Sequence, residues 1–140
     1  MKIITLFIPL IFYSFVSHAQ LKSGSKVFLT FEDTKDKRNV DSEDAKIMLK
    51  TYIDGKTSLV ILDNKLSSDY ILQLRIIKMF GAIRKGKLDI IDNQTQKLTF
   101  ESRWVAGSSS RFYGFSGTRH AIAKLVKNQL IDAFPDIRKK

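Results

Sequence analysis

Hydrophobic and polar positions alternate, cluster or recur at helical spacing along the chain, and each pattern predicts an element. Val27, Leu29 and Phe31 alternate with Phe28 and Thr30, the period of a strand. Ala45, Met48, Leu49, Tyr52 and Ile53 recur at spacings of three and four, which lines one face of a helix. Asp41 stands where that helix would be capped, Glu43 and Asp44 put acid in its first turn, and Gly55 falls where a left-handed C-cap would end it. Leu59 to Leu62 is a short unalternating apolar run, which suits a strand covered on both sides. Asp69 to Phe80 is the longest strand pattern, with Tyr70, Leu72, Leu74 and Ile76 on one face and Ile71, Gln73, Arg75 and Ile77 on the other. Gly81 to Gly86 then turns the chain.

Lys87–Asp92 and Lys97–Val105 read as two strands joined around Asn93-Gln94-Thr95. In the second, Leu98, Phe100 and Trp104 share the core face, while Glu101 and Arg103 face outward to pair with Arg75 across strands. A last helix runs from a cap at Thr118 to Phe134, with Ile122, Leu125, Val126, Leu130 and Phe134 as its stripe, and Pro135 ends it. The order β-α-β-β-β-β-α predicts an α+β or mixed α/β fold: a single sheet of about five strands with two helices packed on it. Residues 20–26 read as a flexible lead-in, 27–135 as one domain and 136–140 as a basic tail.

The first nineteen residues have a different character. Met1-Lys2 opens with positive charge, Ile3 to Val16 is nearly unbroken apolar sequence, and Ser17-His18-Ala19 supplies small residues for cleavage between Ala19 and Gln20. That is the pattern of a secretory signal peptide. An uncleaved membrane anchor is the rival reading, but the apolar run reaches only about 20 Å as a helix, short of a ~30 Å hydrocarbon core. The expected product is exported to the periplasm or outside the cell, with no transmembrane segment in the mature chain.

Composition narrows the chemistry. The 140 residues include no cysteine and two histidines, which excludes a disulfide scaffold, a thiolate zinc site, a Cys nucleophile and a lipid-modified cysteine. Neither a dinucleotide fingerprint nor a phosphate-loop lysine motif is present, so no cofactor and no metal is expected. The chain carries 24 Lys+Arg against 14 Asp+Glu. Residues 20–70 hold nine of each sign, whereas residues 71–140 hold fourteen basic and five acidic side chains. A positive field of this kind attracts lipid head groups, acidic wall polymers, nucleic acid or an acidic partner. Nucleic acid is the least expected of these, because no DNA- or RNA-binding signature accompanies the charge.

The candidate binding residues are Arg75, Arg103, Arg111 and Arg119, with Ser116 in the Gly/Ser/aromatic loop Gly107–Gly117 that opens into the last helix. Backbone N–H groups at that helix start could hold a phosphate or carboxylate; alternatively Phe112, Tyr113 and Phe115 cover the core end, and Gly107 and Gly117 permit turns. Ser116 and His120, four apart, suggest a nucleophile and base for a hydrolase acting on wall or lipid material. Such chemistry also needs an orienting acid and an elbow that Gly114-Phe115-Ser116-Gly117 does not match. The paired carboxylates Asp89/Asp92 and Asp63/Asp69 sit among turn residues, where Asp is expected for turn chemistry.

Three segments carry a family resemblance: Asp69-Tyr70-Ile71-Leu72-Gln73-Leu74, Gly86-Lys87-Leu88-Asp89-Ile90-Ile91-Asp92 and Gln96-Lys97-Leu98-Thr99-Phe100-Glu101-Ser102. The chain resembles small envelope domains of uncharacterised outer-membrane-associated lipoproteins and, more distantly, the penicillin-binding-protein activator and curli-secretion lipoprotein folds. It departs from them in lacking a lipid-anchoring Cys after the signal. The resemblance implies an accessory, non-enzymatic envelope protein associated with the outer membrane, and assigns no functional residue. Its expected partner is an envelope protein or an anionic wall or lipid surface; the alternatives are the Ser116/His120 hydrolase and a basic anion or nucleic-acid binder.

Overall fold

The computed structural model describes residues 20–32, 42–109 and 116–140. The leader with Ala19, the cap position Asp41, Arg111 and the aromatic group Phe112, Tyr113 and Phe115 lie outside the described residues. Strand β1 (Lys26–Phe31) leads to helix α1 (Ser42–Lys56), then come β2 (Val60–Ile61), β3 (Tyr70–Lys78), β4 (Arg84–Asp92), β5 (Leu98–Glu101) and β6 (Val105–Gly107). Helix α2 (Gly117–Lys124) continues through a π-helical stretch (Leu125–Leu130) and a last α turn (Ile131–Ala133). All six strands form one sheet in the order β2-β1-β3-β4-β5, with β6 also on β4. β1 is parallel to β2 and β3; the other pairings are antiparallel. The fold is the expected mixed α/β type, one sheet with its helices on one side.

Alternation in β3 and β4 explains the layering. Leu72, Leu74 and Ile76 face the helices beside Leu88 and Ile90 of β4, and all are fully buried against Leu49 and Ile53 of α1 and Ile122, Leu125 and Leu130 of the last helix. The π stretch sets the last helix's phase. Ile131 N–H reaches back to the Val126 carbonyl, a five-residue step. The buried residues therefore run Ala121, Ile122, Leu125, Val126, Leu130 and Ile131, which a regular 3.6-residue period would not keep on one face.

Several local expectations are corrected. Gly55 is helical, not a left-handed cap; α1 runs on to Lys56, and Thr57 closes it by donating its hydroxyl to the Ile53 carbonyl (2.8 Å). A Cβ at Gly55 would meet nothing within 4 Å. Gly55→Ala is thus expected to stabilise the domain by about 0.5–1 kcal/mol, read from urea midpoints. The Leu59–Leu62 run is an edge strand two residues long, with Val60 exposed, because β1 has β3 on its other side.

The single strand expected over Lys97–Val105 is broken in two. At the break Ser102 is buried, and its hydroxyl accepts from Leu88 N–H (2.8 Å) where a strand carbonyl would otherwise do so. Pairing also slips between Ile90 and Ile91: Phe100 opposes Ile90 and Leu98 opposes Ile91, leaving Thr99 as an extra residue. Phe100 keeps the core side and packs edge-on against Phe134 (5.3 Å between ring centres). Leu98 and Trp104, expected in the core, are instead 52% and 40% exposed.

Both ends of the described domain are tied in. In the segment read as a lead-in, Leu21 is buried and Gly24 N–H donates to the Ser58 carbonyl (3.1 Å). Past Pro135, in the segment read as a tail, Ile137 is fully buried and its carbonyl accepts from Ser58 N–H (2.8 Å).

Candidate functional site

The sheet face turned away from the helices carries the most organised polar chemistry. Parallel pairing sets Thr30 beside Gln73, and antiparallel pairing sets Gln73 beside Asp89, Arg75 beside Lys87 and Asp89 beside Glu101. Arg75 Nη2 donates to Glu32 Oε2, and Lys87 Nζ donates to Glu101 Oε1. Lys87 Nζ also lies 3.9 Å from Asp89 Oδ1. Trp104 lies against both cations: the Arg75 guanidinium and the Lys87 ammonium are each 5.9 Å from its ring. Arg75 Nε and Asp89 Oδ1 are buried with no hydrogen-bond partner among the described residues.

The cross-strand pairing differs from that expected. Arg75 takes Glu32, and Glu101 takes Lys87, because β4 lies between β3 and β5. Arg103 does not join this face; it is exposed beyond the Ser102 break, and its N–H donates to Gln129 Oε1 on the last helix (3.2 Å). Arg119 lies on the helix layer, sharing a shallow concavity with Ile47, Met48, Thr51 and Tyr52 of α1. Arg75 and Arg119 thus belong to opposite sides of the molecule, with the sheet between them.

Burial holds the Asp89 carboxyl above its ordinary value of 3.8, against the opposing pull of Lys87. The folded state therefore binds this proton more tightly than the unfolded chain. Ionised Asp89 costs stability above both values, and that cost vanishes as the pH falls below 3.8. Asp89→Asn is expected to be at least as stable as the parent at neutral pH, with the advantage lost in acid, as urea midpoints at the two pH values will report.

The loop before α2 gives Ser116 and His120 structural roles. Ser116, rather than Thr118, is the N-cap: its hydroxyl accepts from Arg119 N–H (3.1 Å). His120 Nδ1 accepts from Ser108 N–H (3.2 Å), tying the loop to the helix. The link between the two residues is His120 N–H to the Ser116 carbonyl (3.0 Å), an ordinary helical bond. Ser116→Ala should accordingly lose about 1 kcal/mol of stability, the usual cost of a lost cap. Asp92 does turn chemistry, its Oδ1 accepting from Gln94 N–H (2.8 Å) and Thr95 N–H (3.1 Å). Among the described residues no group of His, Asp and Glu has the arrangement of a metal site, and no helix is long and apolar enough to cross a membrane.

Helices on one side and a salt-bridged, tryptophan-bearing face on the other define the class: a small single-sheet α/β domain whose second sheet face carries no described helix. No protein-family model matches the sequence, and no curated protein matches it either. Solved structures do. The chain is similar to a point variant of the PelC dodecamer from Paraburkholderia phytofirmans, at 14% identity and a TM-score of 0.54, over 79% of this chain and 91% of that one. A second PelC dodecamer structure from that organism matches at 16% identity and a TM-score of 0.52, over 79% and 92%. The LpoB C-terminal domain from Salmonella enterica matches at 7% identity and a TM-score of 0.48, over 64% and 86%. At these identities the likeness is one of fold alone, that of small α/β domains.

Proposed function

We propose that this chain is an exported, non-catalytic accessory module of the cell envelope that works through protein contacts on the open sheet face. The observation that carries the reading is the Glu32–Arg75–Trp104–Lys87–Glu101 network. It sets a half-exposed tryptophan beside two neighbouring cations, on a face that no described helix covers. Tryptophan and arginine are the residues most enriched at the energetic centres of protein interfaces. Arg75 Nε and Asp89 Oδ1, buried without a hydrogen-bond partner among the described residues, are a donor and an acceptor on the same face that a partner's polar groups could satisfy. The capping role of Ser116 and the backbone bond of His120 favour this reading over the hydrolase.

A second copy of the chain is the partner that the fold likeness supports, since the PelC structures are dodecamers. The test is the molar mass in solution, by size exclusion with light scattering, of the mature chain and of Trp104→Ala and Arg75→Glu. Assembly in the parent that dissociates in both variants, with unchanged circular dichroism, is the expected result. A monomeric parent whose Trp104→Ala form still recovers the same proteins from envelope extracts would overturn the assignment of this face. An intact-mass measurement on protein isolated from its own cells tests export separately, with a chain beginning at Gln20 as the expected product.

A further inference from the structure

The turn between β3 and β4 is built in a way that the sheet does not require. Its tip presents Met79, Phe80 and Ile83 to solvent, and Phe80 is 94% exposed. The turn is well braced. Met79 N–H donates to the Ile83 carbonyl (3.0 Å), Ile83 N–H donates to the Phe80 carbonyl (3.2 Å), and Gly81 takes the left-handed conformation (φ 62°) that lets the chain reverse. Arg84 Nη1 donates to the carbonyls of Gly81 and Ile83 (3.0 Å each). The outward phenyl ring is therefore held by a satisfied backbone, on a rigid support.

Positive charge stands at the strand ends that flank this turn. Lys78 and Arg84 are directly opposite each other across the hairpin, with Lys85 next in line. Like charges in that position destabilise a ladder. Among the described residues none of the three forms an ion pair, and the sequence holds no carboxylate between Lys78 and Leu88. The start of α2 also lies at this end, with Gly117 packed against the Ala82 carbonyl, so the positive end of the helix dipole adds to the field. An exposed apolar point beside cations that form no ion pair among the described residues matches the boundary of an anionic bilayer, where phosphates take the charges and the acyl region takes the ring.

We infer that the β3–β4 turn docks the domain onto an anionic lipid bilayer, with Phe80 and Ile83 entering the interface and Lys78, Arg84 and Lys85 binding lipid phosphates. The contact uses an end of the sheet, apart from its open face, and stands independently of the protein-contact reading.

The test is co-sedimentation of the mature chain with vesicles of phosphatidylglycerol and phosphatidylcholine, against phosphatidylcholine alone. Binding to the anionic vesicles only, weakened by salt, is expected. Lys78→Ser/Arg84→Ser/Lys85→Ser should lower the partition constant roughly a hundredfold, and Phe80→Ser about tenfold or more. Phe80→Trp should gain a blue-shifted emission with these vesicles that the parent, with Trp104 alone, does not show. Failure of the parent to sediment would overturn the inference. Equal loss to soluble polyphosphate with no effect of Phe80→Ser would mark a general anion site, and dissociation of an oligomer by Phe80→Ser with vesicle binding intact would mark a contact between copies; either overturns it.

Discussion

Gly107→Ala is expected to destabilise the domain by about 3 kcal/mol, at the upper end of what overpacking costs. A Cβ at this position would lie 2.3 Å from the Gly117 carbonyl oxygen, 2.4 Å from Ala121 N and 2.9 Å from Ala121 Cα. Every one of those atoms is backbone, so no side chain can turn away to make room. The cause is the close approach of β6 to the start of α2, which also brings Gly117 within reach of the Ala82 carbonyl. Relief would require the helix to move off the strand, carrying Ile122 and Leu125 out of the core. Urea unfolding should show a lower midpoint with little change in slope. Gly55→Ala is the control, since the same substitution in open space should act in the opposite sense. A Gly107→Ala protein as stable as the parent would mean that β6 and α2 do not pack as described.

Gly107 also marks what the sequence could and could not say. A Gly at each end of a hydroxyl-rich loop reads as freedom to turn, because local sequence shows φ preferences and not the distance to another element. The need for a missing Cβ appears only once β6 lies under α2. The open face divides in the same way. Alternation in β3 puts Gln73 and Arg75 opposite the core, and the structure agrees. It could not name Glu32 as Arg75's partner, because that contact joins residues 43 apart through the parallel β1–β3 pairing. Leu98 and Trp104 depart from their expected places for physical reasons: one extra residue at Thr99 separates Leu98 from Phe100, and a serine that breaks the ladder at Ser102 separates Phe100 from Trp104, each resetting a period of two. Helix α1 is legible from Ala45, Leu49 and Ile53, which are all fully buried, since a 3.6-residue period needs no knowledge of the partner.

Removal of Ile137–Lys140 is expected to cost roughly 4 kcal/mol or more, a large share of the 5–15 kcal/mol that typically separates folded from unfolded domains. By composition these residues look dispensable, with three cations in four positions. The structure gives them other work. Ile137 fills the core at full burial, and such a side chain reduced to alanine alone loses about 2–5 kcal/mol. Its carbonyl accepts from both Ser58 N–H (2.8 Å) and Ser58 Oγ (3.2 Å), and Lys139 N–H donates to the Lys56 carbonyl (3.0 Å). Lys139 Nζ donates to the Asp54 carbonyl (2.9 Å), and Arg138 bridges to Thr57. Truncation would therefore expose the end of α1 and the approach to β2 as well as open a cavity. A fall in melting temperature of about 15 °C is expected for a domain of this size, with Ile137→Ala reproducing more than half of it and Lys140 deletion almost none. If the truncated chain melts within a degree or two of the parent, the segment is a tail after all, and the core closes without it.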